Sequence, residues 1–170
     1  MQMNLRILIA LIGLLAMRAD AFSCTVAPRD ALTIVEHADT IVRVRALDVV
    51  EDGRPPNPYL GRPIRFEVVE QLRGNPVTVL TVNGHLGDLP DMNPDPVPYG
   101  MVRRTGRSGS CYARTYQRGG EYLLLMKDVD GVRTPYWAPL SATNEQIVGD
   151  NDKWLLWVKE RLNRLKEAGK

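Results

Sequence analysis

Residues 111–126 read CYARTYQRGGEYLLLM, and the fold turns on how that stretch is interpreted. The run Tyr122-Leu123-Leu124-Leu125-Met126 is apolar without a break. A strand with one wet face alternates apolar and polar residues, so an unbroken run is either covered on both faces or rolled into a barrel. Gly119-Gly120 interrupts the chain just before it, and Cys111 opens the stretch. Cys111 has one possible partner, Cys24, at the far end of the domain.

Working outward, residues 40–50 alternate with period two. Val42, Val44 and Ala46 point one way and Arg43 and Arg45 the other, which predicts a first, long strand. Ahead of it, residues 28–38 (PRDALTIVEHA) predict a short helix with Pro28 in its first turn and Ala31, Ile34, Val35 and Ala38 as the buried stripe. His37 falls beside that stripe, near the helix end, where a dipole contact or plain exposure accounts for it. Residues 51–63 are dense in Gly and Pro and predict a loop. Ile64, Phe66 and Val68 mark a second strand, a turn follows at residues 73–76, and residues 76–82 (PVTVLTV) give a third. Residues 84–110 hold four prolines, five glycines and few apolar side chains. A connection of that length without regular structure is either functional or mobile. After the central strand, Asp130-Gly131 turns the chain into a fifth strand over residues 132–138. Asp150 or Asn151 then caps a helix that runs to about residue 168, with Trp154, Leu155, Val158, Leu162 and Leu165 on its apolar face. Five strands of all-β character with flanking helices and a joining disulfide suggest a small closed barrel.

The N-terminus carries Arg6, an apolar run over residues 7–17 and small residues at Ala19 and Ala21, the pattern of a signal peptide over residues 1–21. The run is too short for a bilayer, which needs about 20 residues, so no membrane span is expected after its removal. Removal takes away Arg6, Arg18 and Asp20 and lowers the formal net charge from +2 to about +1. A balanced surface exerts no long-range pull on nucleic acid or anionic lipid. Export, to the periplasm or beyond the cell, favours a disulfide between Cys24 and Cys111, with two buried free thiols as the alternative.

The order of Cys24, a helix and Ala38-Asp39-Thr40-Ile41-Val42-Arg43-Val44-Arg45-Ala46 resembles the netrin-type module of the tissue inhibitors of metalloproteinases. The resemblance continues in Phe66-Glu67-Val68, the Gly74 turn, Cys111 and Gly120-Glu121-Tyr122-Leu123-Leu124, and covers residues 24–135. It implies a five-stranded oligomer/oligosaccharide-binding (OB) barrel over residues 22–140, with 84–110 as a long insertion. Residues 141–170 are then a linker and a helix docked on the barrel. Pro98-Tyr99, Gly109-Ser110-Cys111, residues 136–140 (YWAPL) and Asn144-Glu145-Gln146 resemble uncharacterised bacterial secreted proteins of that broad group. True inhibitors begin with Cys-x-Cys and carry several disulfides; here Cys24-Thr25-Val26 stands at that place and one bridge is the maximum.

Three chemistries compete for the polar residues. A Ser/His/Asp hydrolase could use His85 with Asp88 or Asp91, but no serine stands in a strand-to-helix elbow. Asp91, Asn93 and Asp95 copy the first ligand spacings of a calcium loop, yet Pro96 occupies the turn-glycine position and Val102 the twelfth, where a Glu is required. Arg103, Arg104 and Arg107 are better matched to Asp88, Asp91 and Asp95, pairing inside the insertion and ordering it. The resulting expectation is a secreted or periplasmic, non-enzymatic binding module without cofactor or metal. It would meet a protein or small ligand through Cys24, Thr25, Val26, His85, Asp88, Asp91, Asp95, Tyr99, Arg103, Arg104 and Arg107. Inhibition of a metalloproteinase through the Cys24 segment is the first alternative, and a small hydrolase or calcium-dependent factor the second.

Overall fold

The computed structural model describes Cys24 and residues 26–53, 55–136 and 138–169; the expected signal peptide and Thr25 lie outside these. Strand β1 (Thr40–Val49) runs through the centre, between β2 (Arg62–Arg73) and β5 (Glu121–Val129). Its alternation divides two apolar clusters. Val42, Val44 and Ala46 pack with Ile64 and Phe66, with Leu80 and Val82 of β3 (Val79–Gly87), and with Tyr122, Leu124 and Met126. Ile41, Leu123 and Leu125 face the opposite cluster, which two helices cover. The five residues Tyr122 to Met126 are therefore all 0% exposed, and the unbroken apolar run has its explanation in a strand buried on both faces.

The sheet is open, which corrects the closed five-stranded barrel expected from the sequence. Among the described residues it has seven strands, in the order β4-β3-β2-β1-β5-β6, with β7 also on β5. Two of them went unforeseen because they carry no apolar alternation. Strand β4 (Thr115–Gln117) pairs parallel to β3, and β7 (Asn144–Ile147) pairs antiparallel to β5. Strand β6 (Val132–Pro135) is shorter than expected, while β3 starts later and runs on to Gly87. Between β4 and β5, Arg118 N donates to Gly87 O (2.8 Å) and Gly119 N to Ala46 O (2.7 Å), bridging β3 back to β1.

Helix α1 (Ala31–His37) begins three residues beyond Pro28, because Asp30 caps it by accepting from Thr33 N (3.1 Å). Its last carbonyls are met by Arg73 of β2, whose Nη1 donates to Val35 O (2.7 Å), Glu36 O (3.1 Å) and Ala38 O (3.2 Å). A cation at a helix C-terminus also opposes the helix dipole. A second helix, α2 (Arg104–Arg107), is a single turn. Helix α3 (Lys153–Glu167) starts at Asp152, whose carboxylate accepts from Trp154 N (2.9 Å) and Leu155 N (3.2 Å). Asp150, expected as a possible cap, instead pairs with Arg43 of β1. The helix docks as its apolar stripe predicts: Trp154, Leu155, Val158, Leu162 and Leu165 are all buried, and Trp154 stacks between Tyr99 (5.0 Å) and Trp157 (5.1 Å). Residues 141–147, expected as part of a linker, are buried throughout. No described helix is long and apolar enough to cross a membrane.

Candidate functional site

The polar connection after β3 is organised around one side chain. Arg103 is 0% exposed, a placement that costs several kcal/mol unless every donor is met. Its Nη1 pairs with Asp91 Oδ2 (2.5 Å) and donates to Thr115 O (2.7 Å); Nε donates to Asn144 O (3.0 Å) and Nη2 to Ala113 O (3.3 Å). The rings of Tyr116 and Tyr122 lie 5.3 Å from the guanidinium carbon, within cation–π range. One cation thus joins the insertion to β4, β5 and β7.

The neighbours complete the arrangement. Asp91 accepts from Thr105, and its own N–H donates to Gln146 Oε1 (2.6 Å). Gln146 in turn donates to Gln117 Oε1 (2.7 Å), linking β7 to β4. Asn144 donates to Ala113 O (2.5 Å) and Tyr116 OH (2.9 Å). Glu145, also 0% exposed, accepts from Asn93 Nδ2 (2.8 Å) and Arg103 N (3.2 Å). Burial pushes its carboxyl up to about 7, with Arg103 and the Asn93 bond pulling the other way. A second pair closes the loop from outside. Arg107 holds Asp95 through two parallel bonds (3.1 and 2.7 Å) and donates to Asn93 Oδ1 (3.0 Å).

Of the arginines and aspartates expected to pair inside the insertion, Arg103 meets Asp91 and Arg107 meets Asp95. Asp88 and Arg104 stay at the surface. Tyr99 is not at the surface: it is buried against Trp154, and burial first, then nearby carboxylates, push its phenol up to about 12. The calcium-loop oxygens of Asp91, Asn93 and Asp95 face guanidinium groups, and no group of three or more His, Cys, Asp and Glu among the described residues is arranged to hold a metal. His85 lies exposed on β3 beside Thr115 of β4. Glu145, Asn144 and Gln146 were not among the expected site residues, since a short polar run after a Pro/Ser-containing stretch carries no periodicity.

The disulfide between Cys24 and Cys111 is formed, with Cα atoms 6.0 Å apart. It fastens the N-terminal segment to the end of the insertion, and Leu140 N donates to Cys111 O (2.7 Å) on the other side. Around this anchor Val26 is 57% exposed and, on the insertion, Leu89 is 80% exposed. The insertion thus has one buried ion pair, Arg103 with Asp91, and a covalent tie at its end, while Val26 and Leu89 lie at the surface. Comparison of the chain with protein-family models and with curated proteins finds no match.

Proposed function

We propose that the chain is an exported, non-enzymatic binding module on a netrin-type variation of the OB barrel. It meets a protein or small ligand through the insertion and the Cys24 segment. The observation that carries this reading is the inward pairing of the insertion's charges around Arg103. That pairing, with the Cys24–Cys111 bond, makes a long polar connection rigid before any ligand arrives. Preorganisation of this kind spares the ordering cost of binding. Of the described residues named from the sequence, Asp91, Tyr99 and Arg103 serve the scaffold, Cys24 is in the disulfide, and Asp95 and Arg107 pair with each other; Val26, His85, Asp88 and Arg104, with Leu89, are left to face a partner. The bridge from β3 to β1 through residues 118 and 119 supports kinship with a barrel. Capture from an exported-protein fraction tests the reading. A triple variant, His85→Ala/Leu89→Ala/Arg104→Ala, should melt as the parent does and lose the captured component; equal capture by both contradicts it.

Metalloproteinase inhibition is the second reading, favoured by the fixed position of Cys24. If export processing leaves Cys24 first, its α-amine is held in place by the bond to Cys111 and can reach a protease zinc as a neutral donor. Processing after Ala21 leaves Phe22-Ser23 ahead of it and turns that amine into an amide. N-terminal sequencing of the exported protein separates the two. A start at Cys24, together with inhibition of a zinc endopeptidase that is lost when Phe22-Ser23 are restored, puts inhibition first.

A further inference from the structure

A cavity of about 430 Å³ opens where the end of β2 meets the last turns of α3. It is lined by Gln71, Leu72, Arg73, Gly74, Leu162 and Lys166, and no residue of the insertion takes part. Sites for small ligands run from roughly 300 to 1,000 Å³.

The chain around this cavity is fixed. Arg73 Nη1 is spent on the three carbonyls that end α1, and Gln71 Nε2 donates to Arg73 O (2.5 Å). Gly74 follows at φ +88°, so close to β1 that a Cβ there would fall 2.6 Å from Thr40 Oγ1 and 2.8 Å from Asp39 O. Only glycine permits that turn. On the other side, Leu162 and Lys166 stand one turn apart on the same side of α3.

The charges are unbalanced here. Arg73 is half-buried, and its Nε and Nη2 make no hydrogen bond among the described residues. The carboxylates that act on it, Asp39 and Glu36, are engaged by Lys127 (2.8 Å) and Arg161. Burial therefore pulls its guanidinium down further than those two carboxylates raise it. Lys166 is exposed and has no ion pair among the described residues. Glu70, which precedes Gln71, is held by Lys159 (2.8 Å). The lining thus carries two cations and no carboxylate.

The Nε and Nη2 groups share one edge of the guanidinium, a fork that takes two oxygens of one carboxylate or phosphate. Two features choose between these anions. Both cations lie at helix C-termini, Arg73 on the carbonyls of α1 and Lys166 in the last turn of α3. The partial negative charge of those ends suits one added charge better than the nearly two of a phosphate ester. Leu72 and Leu162 add apolar wall, which suits a hydrocarbon body. We propose that this cavity binds a small organic carboxylate, its oxygens on the open edge of Arg73 and near Lys166, its hydrocarbon part against Leu72 and Leu162. The site lies apart from the insertion and the Cys24 segment and stands independently of the function proposed above.

The test uses the full chain, ¹⁵N-labelled, titrated with hexanoate, octanoate and benzoate, with the amides of these acids, and with inorganic phosphate and phenyl phosphate. At least one carboxylate should give saturable shifts at the amides of Arg73, Gly74 and Lys166 and at the side-chain Nε–H of Arg73. Its amide keeps the shape without the charge and should bind roughly tenfold more weakly. Lys166→Glu, at an exposed position, should keep the parent's melting temperature and weaken binding by roughly the same factor. Arg73→Lys keeps a cation at the end of α1 but loses the fork, and should weaken binding further. Lys153→Glu, at the far end of α3, should leave it unchanged. Saturation by none of the carboxylates, binding of the phosphates alone, equal binding of acid and amide, shifts mapping elsewhere, or full affinity in Lys166→Glu would each overturn the proposal.

Discussion

On one face of the sheet, Val44, Phe66, Leu80 and Leu124 pack in a cluster of apolar residues. Beside it, Arg103 and Glu145 are just as completely removed from water, and Asp91 nearly so, yet each is held by hydrogen bonds to named partners. Loss in an apolar cluster is graded, because a truncated side chain leaves a cavity whose cost follows its size. Loss in a buried polar cluster is not graded, because removing one partner strands the others without water or counter-charge. The two regions meet at Tyr116 and Tyr122, whose rings belong to the apolar cluster and lie against the Arg103 guanidinium.

The strongest way to break the comparison is to cut the covalent tie beside the polar region. The Cys24–Cys111 bond spans 87 residues of sequence. Replacing both cysteines by serine should lower the unfolding free energy by about 4–5 kcal/mol on the chain-entropy model, measured by urea denaturation. Next comes Arg103→Met, which keeps the bulk but leaves Asp91 and Glu145 buried without a cation. It should cost about 3–5 kcal/mol, and adding Asp91→Asn should recover part of that loss, a non-additivity expected only of a coupled cluster. On the apolar side, Trp154→Ala should cost about 3 kcal/mol, since the ring is fully buried between Tyr99 and Trp157. A loss under about 0.5 kcal/mol would mark α3 as a solvated tail.

The smallest effect distinguishes the regions by pH. Glu145 holds its proton up to about 7 in the folded chain against an ordinary 4.5, so between those values the unfolded chain binds fewer protons. Stability should fall as pH rises through that window and level off above it. Glu121 behaves oppositely: burial pushes it up, but its bonds to Arg43 and Arg45 outweigh that and hold it low. Lys127 likewise holds Asp39 low. Those contributions are lost as pH falls below the ordinary carboxylate range. Urea melts from pH 3 to 8 should show a maximum near the ordinary carboxylate range, with its alkaline limb removed in Glu145→Gln.

What was legible in the chain follows the same division. Strands β1 and β5 and helix α3 could be read because period and apolar run length report directly on burial. That the arginines at 103, 104 and 107 pair with the aspartates of the insertion could be read because opposite charges cluster in one connection; which arginine meets which aspartate could not. Strands β4 and β7 could not, since their places depend on Gln146 meeting Gln117 and Asn144 meeting Tyr116, contacts between polar residues far apart in sequence. Glu145 was hidden for the same reason: nothing local marks a carboxylate as buried. The closed barrel was overestimated because strand count says nothing of whether the last edge pairs.

The central claim, that a polar cluster holds the insertion as firmly as the apolar one holds the sheet, is tested most directly by amide hydrogen exchange. Asp91 N–H is bonded to Gln146 and Arg103 N–H to Glu145, both in a stretch with no strand of its own. The expected result is protection of these two amides close to that of Leu124 in β5. Exchange of Asp91 and Arg103 at the rate of an open loop, while Leu124 stays protected, would contradict it.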